Sequence, residues 1–345
     1  MTQRTLVLGT RLSISDATIE RIRREYPALR VVDASADWTP VAGYKTIPPV
    51  TGPAWEEASK RLNKHLAEAE IIYSLQYIPL DLKARAPKLK WIHFGGTGID
   101  RTQGSDIHDG TLQLTNSRGA LAVPIAEWVV MLMLMLAKQT RAVEESQRQK
   151  KWERPDVGDI AGKTVGILGL GNIGAATARL CKAFGMRVLA TRRACARRGP
   201  GDDGVTDEMF PPDQLRELLA QCDFVAVTLP STPETRHVIG ERELRALKPT
   251  AYIVNVGRGA LIDEPALIRA LQEKRIAGAG LDVFEKEPPA QDNPLWSMPN
   301  VIVTPHMAGN TVSHDDLVAA ILLDNIRRYM AGEPLRNPVR PDMGY

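Results

Sequence analysis

The chain has 345 residues, 43% of them apolar and 25% charged. That is the mix of a folded globular protein, and it excludes a mainly disordered chain. Forty-four Lys and Arg against 41 Asp and Glu leave a net charge of +3, too small an excess to call for nucleic acid or an anionic membrane as partner. At roughly 150 residues per domain, the length predicts two domains.

Residues 5–9 read as a first strand, since no charged segment and long apolar stretch mark a signal peptide. Short strands follow at 30–32, 71–73, 91–94 and 112–115. A long helix over 124–138, opened by Pro124 and apolar all round, is expected to be buried. Its apolar run, 129–137, is far shorter than the ~20 residues that span a bilayer. The polar segment 150–160 reads as a loop. Six further strands are predicted at 164–169, 187–190, 224–228, 252–256, 278–283 and 301–304, with helices between them, and six match a complete dinucleotide-binding sheet. A last helix, about 312–330, ends at Gly332 and Pro334 and is expected to return to the first domain. The fold class is therefore α/β: two Rossmann-like or flavodoxin-like doubly wound parallel-sheet domains with a cleft between them. Their expected bounds are 1–118 with 308–345, and 119–307. Cys181, Cys195 and Cys222 form neither a disulfide framework nor a metal site, which makes the cytoplasm the default compartment. The six histidines show no metal-ligand spacing.

Gly169, Gly171 and Gly174 form G-x-G-x-x-G between an apolar strand and a helix, the context in which that pattern binds a dinucleotide. Gly169 permits the tight turn, Gly171 leaves room for the pyrophosphate, and Gly174 lets helix and strand pack closely. The helix N-terminus offers free N–H groups and partial positive charge. At the end of the next strand, where an NAD site carries Asp or Glu for the ribose hydroxyls, stand Arg192 and Arg193. Guanidinium groups there suit a 2′-phosphate, so NADP(H) is expected over NAD(H), with Arg197 and Arg198 adding to the field.

Three more strand ends carry polar residues, and carboxyl ends of strands are where such sheets bind ligands. Arg258 stands between Gly257 and Gly259, and Asp263 suits the cap of the following helix. Asp282 ends a strand ahead of Glu285 and Glu287, and His306 follows a strand and Pro305.

Several segments, in this order and at these separations, resemble the D-isomer-specific 2-hydroxyacid dehydrogenases from Tyr73 to Val339. They are Lys88-Leu-Lys with Gly96-Thr-Gly-Ile-Asp100, Ile125-Ala-Glu-Trp128, the Gly-Leu-Gly-Asn-Ile-Gly turn, Asn255-Val-Gly-Arg-Gly, Leu281-Asp-Val-Phe-Glu-Lys-Glu-Pro and Thr304-Pro-His. The resemblance implies that 1–118 with 308–345 is the substrate domain. Arg258 would bind the substrate carboxylate and carbonyl. His306 would protonate the carbonyl oxygen in reduction, and Glu287 would orient His306 and favour its imidazolium, which leaves Glu285 at the surface. Asp282 would hold the nicotinamide carboxamide. Asn172 and Ile173 would lie on the pyrophosphate, with Leu229, Pro230, Val256, Gly257 and Gly309 along the cofactor. The loop of Leu75, Gln76 and Tyr77 would cradle the substrate carboxylate. In the Arg192-Arg193 pair the chain is similar to the family's NADP-preferring glyoxylate and hydroxypyruvate reductases, and a homodimer is implied.

The expected reaction is reduction of a small 2-oxo acid to the D-2-hydroxy acid, in which the cofactor supplies hydride and the protein orients, binds charge and donates a proton. Two other readings share the fold: a nucleotide-sensing, corepressor-like binding protein, and a formate or phosphite dehydrogenase. Formate enzymes pair the histidine with Gln, and Glu287 speaks against that branch.

Overall fold

The computed structural model describes residues 3–43, 48–201 and 203–339, with Asp100 described by its backbone alone. Residues 1, 2, 44–47 and 340–345 of the expected first domain lie outside this range. The chain divides into two compact units, one up to Ala120 and again from Thr311, the other Leu121–Asn310.

Among the described residues, the first unit holds five strands: β1 Arg4–Leu8, β2 Leu29–Asp33, β3 Ile71–Ser74, β4 Trp91–Phe94 and β5 Gln113–Asn116. All pair in parallel, in the order β2-β1-β3-β4-β5. Alternate side chains of β1 serve opposite layers, as the period of two in a strand requires. Leu6 and Leu8 join Ile71, Tyr73 and Trp91 under helices Asp16–Glu25 and His314–Ala331, through Ile19, Ile22, Leu322 and Ile326. Val7 joins Ile72, Ile92 and Phe94 under helices Ser35–Ala42 and Pro53–Leu66, through Trp38, Leu62 and Leu66. A parallel sheet covered on both faces needs such apolar runs. A titratable side chain interrupts them: His93 of β4 is fully buried, with its ring nitrogens 2.8 Å from Thr115 Oγ1 and 3.1 Å from Ser117 Oγ.

Among the described residues, the second unit holds seven parallel strands, one more than the sequence suggests. They are β6 Thr164–Leu168, β7 Arg187–Thr191, β8 Glu208–Phe210, β9 Phe224–Val227, β10 Tyr252–Asn255, β11 Gly278–Leu281 and β12 Val301–Val303, in the order β12-β11-β10-β9-β6-β7-β8. The extra strand is β8. It has three residues, begins with a glutamate and runs into Pro211, so neither length nor alternation marks it. A helix at Thr140–Arg148 also carries no apolar stripe that would announce it, having no buried residue.

The long apolar helix is Ala122–Ala137. It is not buried all round, as its composition suggests. Ala126, Val129, Val130, Leu132 and Met133 face the core, while Met131, Leu134 and Met135 line an open groove of about 390 Å³ with Lys138, Leu180 and Phe184. Among the described residues, no single helix is long and apolar enough to cross a membrane.

Both sheets reverse strand order at one place, between β1 and β3 in the first and between β6 and β9 in the second. Beyond the carboxyl ends of strands at such a switch point, doubly wound sheets bind their ligands.

Candidate active site

The β6 switch-point loop is the glycine turn. Gly169 has φ +100°, a conformation that side chains rarely adopt, and a Cβ there would also stand 3.1 Å from the Leu229 backbone. Thr228 donates its hydroxyl to the Gly169 carbonyl at 2.8 Å and so ties the two switch-point loops together. A Cβ on Gly174 would stand 2.2 Å from the Gly169 carbonyl oxygen, so only glycine lets this helix approach its strand. Gly171 differs: a Cβ there would meet nothing within 4 Å. It is the N-cap of helix Asn172–Ala183 and offers no side-chain cap. The helix's first N–H groups therefore remain available to an anion. An open cradle ahead of a helix terminus fits the pyrophosphate of a dinucleotide. Asn172 is exposed at this edge, Ile173 is half-buried, and Leu229 and Pro230 border the neighbouring strand end.

At the end of β7, Arg192 is half-buried and Arg193 exposed. Arg198 does not add to their field as expected. Its guanidinium pairs with Glu208 at 2.6 Å and Glu217 at 3.7 Å, and lies 4.4 Å from the Phe210 ring centroid. Glu208 belongs to the strand that the sequence did not reveal. Arg197 is exposed, and its carbonyl accepts from the Cys195 thiol at 3.1 Å.

The ends of β10, β11 and β12 build the remaining group. Asn255, 1% exposed, accepts from Gly257 N–H and donates to the Arg258 carbonyl, both at 3.0 Å. This closes the loop on which half-buried Arg258 stands, beside buried Val256 and Gly257. Asn255 was not singled out from sequence, although a buried asparagine ending an apolar strand is the available signal. Arg258 Nη1 donates to the Gly257 carbonyl at 2.8 Å. A Cβ on Gly259 would stand 1.8 Å from the Phe284 carbonyl carbon, so the arginine loop lies directly on the backbone that leads to Glu287. Asp263 caps helix Glu264–Gln272 by accepting from Ala266 N–H.

His306 Nδ1 stands 2.7 Å from Glu287 Oε2, and Glu287 Oε1 accepts from Phe284 N–H at 3.2 Å. Partial burial pushes the Glu287 carboxyl up. The His306 bond and charge, the Phe284 N–H and the nearby Arg258 charge outweigh it and hold the carboxyl below the usual range. His306 and Glu287 are thus in direct contact, and the Arg258 charge is near enough to act on Glu287. His306 has φ +52° and its side chain is 51% exposed, a left-handed backbone of the kind found at functional positions.

Asp282 explains that backbone. It is 1% exposed, and its carboxylate accepts from Thr304 Oγ1 at 2.5 Å, Met307 N–H at 3.0 Å and Ala308 N–H at 2.9 Å. Its carbonyl accepts from His306 N–H at 2.8 Å. The resemblance makes Asp282 a nicotinamide ligand; the same carboxylate folds the 304–308 loop, with three of about four lone-pair sites used. Gly309 ends that loop, where a Cβ would come within 3.2 Å of Leu121. Glu285 is exposed yet engaged, with Arg236 at 2.7 Å and His237 at 3.1 Å.

In the first unit, Leu75, Gln76 and Tyr77 follow β3 at its switch point and are all half-buried. The Tyr77 carbonyl accepts from Trp38 Nε1 at 2.8 Å, and Gln76 Oε1 accepts from Arg101 N–H at 3.3 Å. Among the described residues, no three His, Cys, Asp or Glu side chains converge as metal ligands.

Comparison with known proteins places this geometry. The profile described as "D-isomer specific 2-hydroxyacid dehydrogenase, NAD binding domain" matches residues 130–308. The chain is 37% identical over 257 residues to a glyoxylate reductase of Thermococcus gammatolerans, covering 72% of this chain and 75% of that one. It is 34% identical over 291 residues to a D-3-phosphoglycerate dehydrogenase of Methanocaldococcus jannaschii; that match covers 84% of this chain but 54% of the relative, about half its length. A crystal structure of a D-isomer specific 2-hydroxyacid dehydrogenase from Xanthobacter autotrophicus Py2, in complex with NADPH and MES, aligns with a TM-score of 0.80 at 32% identity, covering 99% of this chain and 100% of that one. The chain belongs to the D-isomer specific 2-hydroxyacid dehydrogenase family.

Proposed function

We propose that this protein reduces a small 2-oxo acid, of the size of glyoxylate or hydroxypyruvate, to the D-2-hydroxy acid with NADPH. The observation that carries this reading is the 2.7 Å contact of His306 Nδ1 with Glu287, beside Arg258. Gly169, Gly171, Asn172, Ile173 and Gly174 hold the cofactor pyrophosphate, with Leu229, Pro230, Val256, Gly257, Asp282 and Gly309 along its length. When bound, the cofactor supplies the hydride that reaches C2. Arg258 draws the substrate carboxylate and carbonyl together and stabilises charge growing on the oxygen. Protonated His306 donates Nδ1–H to Glu287, which leaves Nε2–H for the carbonyl oxygen. The proton passes from Nε2 to that oxygen and the ring ends neutral, to be recharged from solvent at its exposed edge. Residues 75–77 offer backbone N–H groups to the same carboxylate.

Arg192 and Arg193 support NADP(H), with NAD(H) the weaker alternative. Arg192→Ala/Arg193→Ala should raise KM for NADPH far more than for NADH, and equal effects would defeat that choice. The apolar groove beside Met131, Leu134 and Met135 supports a homodimer, tested by sedimentation. Three free cysteines, two of them buried, support a reducing, cytoplasmic setting.

The test is NADPH and NADH oxidation against a panel of 2-oxo acids, with His306→Ala beside the wild type. General acid catalysis is worth about 10²–10⁴-fold, so the variant should lose that much turnover while keeping its cofactor affinity. Intact cofactor binding without turnover of any 2-oxo acid would replace this reading with a nucleotide sensor.

A further inference from the structure

Two arginines flank the switch point of the five-stranded sheet, and their charges are used differently. Arg11, after β1, pairs with Asp33 at 3.1 Å and with Asp16. Arg101 stands in the short turn Asp100–Thr102 after β4. It is exposed, and among the described residues its guanidinium has no carboxylate partner. It is nevertheless held in place. The guanidinium lies 5.3 Å from the Tyr77 ring centroid, and the backbone N–H donates to Gln76 Oε1 at 3.3 Å. An aromatic face orients a cation without neutralising it. Among the described residues, Arg101 is therefore an oriented positive charge without a carboxylate beside it, next to the loop 75–77.

On the reading above, the backbone N–H groups of 75–77 already serve the C1 carboxylate. A further cation beside that loop suits a substrate that carries a second negative group. The planar fork of arginine takes a carboxylate or a phosphate through two hydrogen bonds. We propose that Arg101 is a specificity-determining residue that selects 2-oxo acids bearing an additional anionic group at the end away from C1. This inference rests on the proposed 2-oxo acid reductase activity.

The experiment compares kcat/KM for matched pairs with NADPH: 2-oxoglutarate against 2-oxopentanoate, and 3-phosphohydroxypyruvate against hydroxypyruvate. The first pair tests a carboxylate tail and the second a phosphate tail. Wild type should favour the anionic member of at least one pair. One charge-assisted contact at an exposed site corresponds to about tenfold, so Arg101→Met should lower that preference ratio about tenfold, through KM. Arg101→Lys should keep most of it. Raising the salt concentration should erode the wild-type preference as charges are screened, a readout that needs no variant to fold. A ratio unchanged within about twofold overturns the inference alone, as does an equal loss on both members, which would put Arg101 on the shared C1 carboxylate. Failure of the wild type to reduce all four acids overturns the reductase reading and this inference with it.

Discussion

His93 makes the five-stranded unit sensitive to acid, by an amount that follows from its surroundings. The ring is fully buried between Tyr73 and Trp91, with Thr115 and Ser117 hydroxyls at its nitrogens. Burial pushes its pKa from 6.5 down to about 3, so the folded chain keeps the ring neutral. The unfolded chain takes up a proton below about pH 6.5. Stability from this group is therefore fully present above pH 6.5 and is lost progressively as the pH falls toward 3. Each pH unit in that window weakens folding about tenfold. Two units below the midpoint the loss is about 3 kcal/mol, against a total of about 5–15 kcal/mol for an ordinary domain. His93→Asn keeps a neutral group that can bond the two hydroxyls but does not titrate. It should be the less stable form near neutral pH, by about 1–3 kcal/mol for lost packing. Urea denaturation followed by circular dichroism at neutral pH and at about pH 4.5 should show the difference moving by about 3 kcal/mol in favour of the variant, so that the gap closes or reverses. A gap of the same size at both pH values would refute the account of His93 as a buried neutral histidine.

The glycine turn yields a paired test. Gly171→Ala adds a methyl in open space and should leave the melting temperature near wild type while weakening cofactor binding in calorimetry. Gly174→Ala forces a methyl onto the Gly169 carbonyl and should cost about 1–3 kcal/mol of stability; indistinguishable melting curves for the two variants would contradict the packing described. Asp282→Asn replaces one acceptor oxygen by an NH2 group, which cannot accept from the donors of the 304–308 loop. It should cost about 1–3 kcal/mol and lower kcat along with it, whereas a loss confined to cofactor KM would argue that the residue serves the nicotinamide instead.

Most of the architecture can be read from the chain because apolar strands ending in glycine or a polar residue announce themselves locally. The β4 segment Trp91–Phe94 and the helix Glu264–Gln272 lie where the sequence places them. What escaped depends on partners distant in sequence. Strand β8 exists because β7 pairs with it, Leu189 against Glu208, and its own three residues carry no pattern. Arg198 reads as one more cation until Glu208 and Glu217 are brought beside it. Asp282 reads as a buried carboxylate in need of a partner, but which partner is not legible, because its donors Met307 and Ala308 are backbone groups that no residue identity reveals. That Arg258, Glu287 and His306 would stand at one edge of the sheet was legible because each follows its own strand, and neighbouring parallel strands deliver their carboxyl ends to one edge.

The missing side chain at Gly259 has a consequence for anyone rebuilding this protein. Since the backbone there touches the Phe284–Glu285 peptide directly, the guanidinium-bearing segment and the acid-bearing segment cannot drift apart independently. Neither segment can be grafted from a relative without the other, so for recombination or redesign they are one exchangeable cassette.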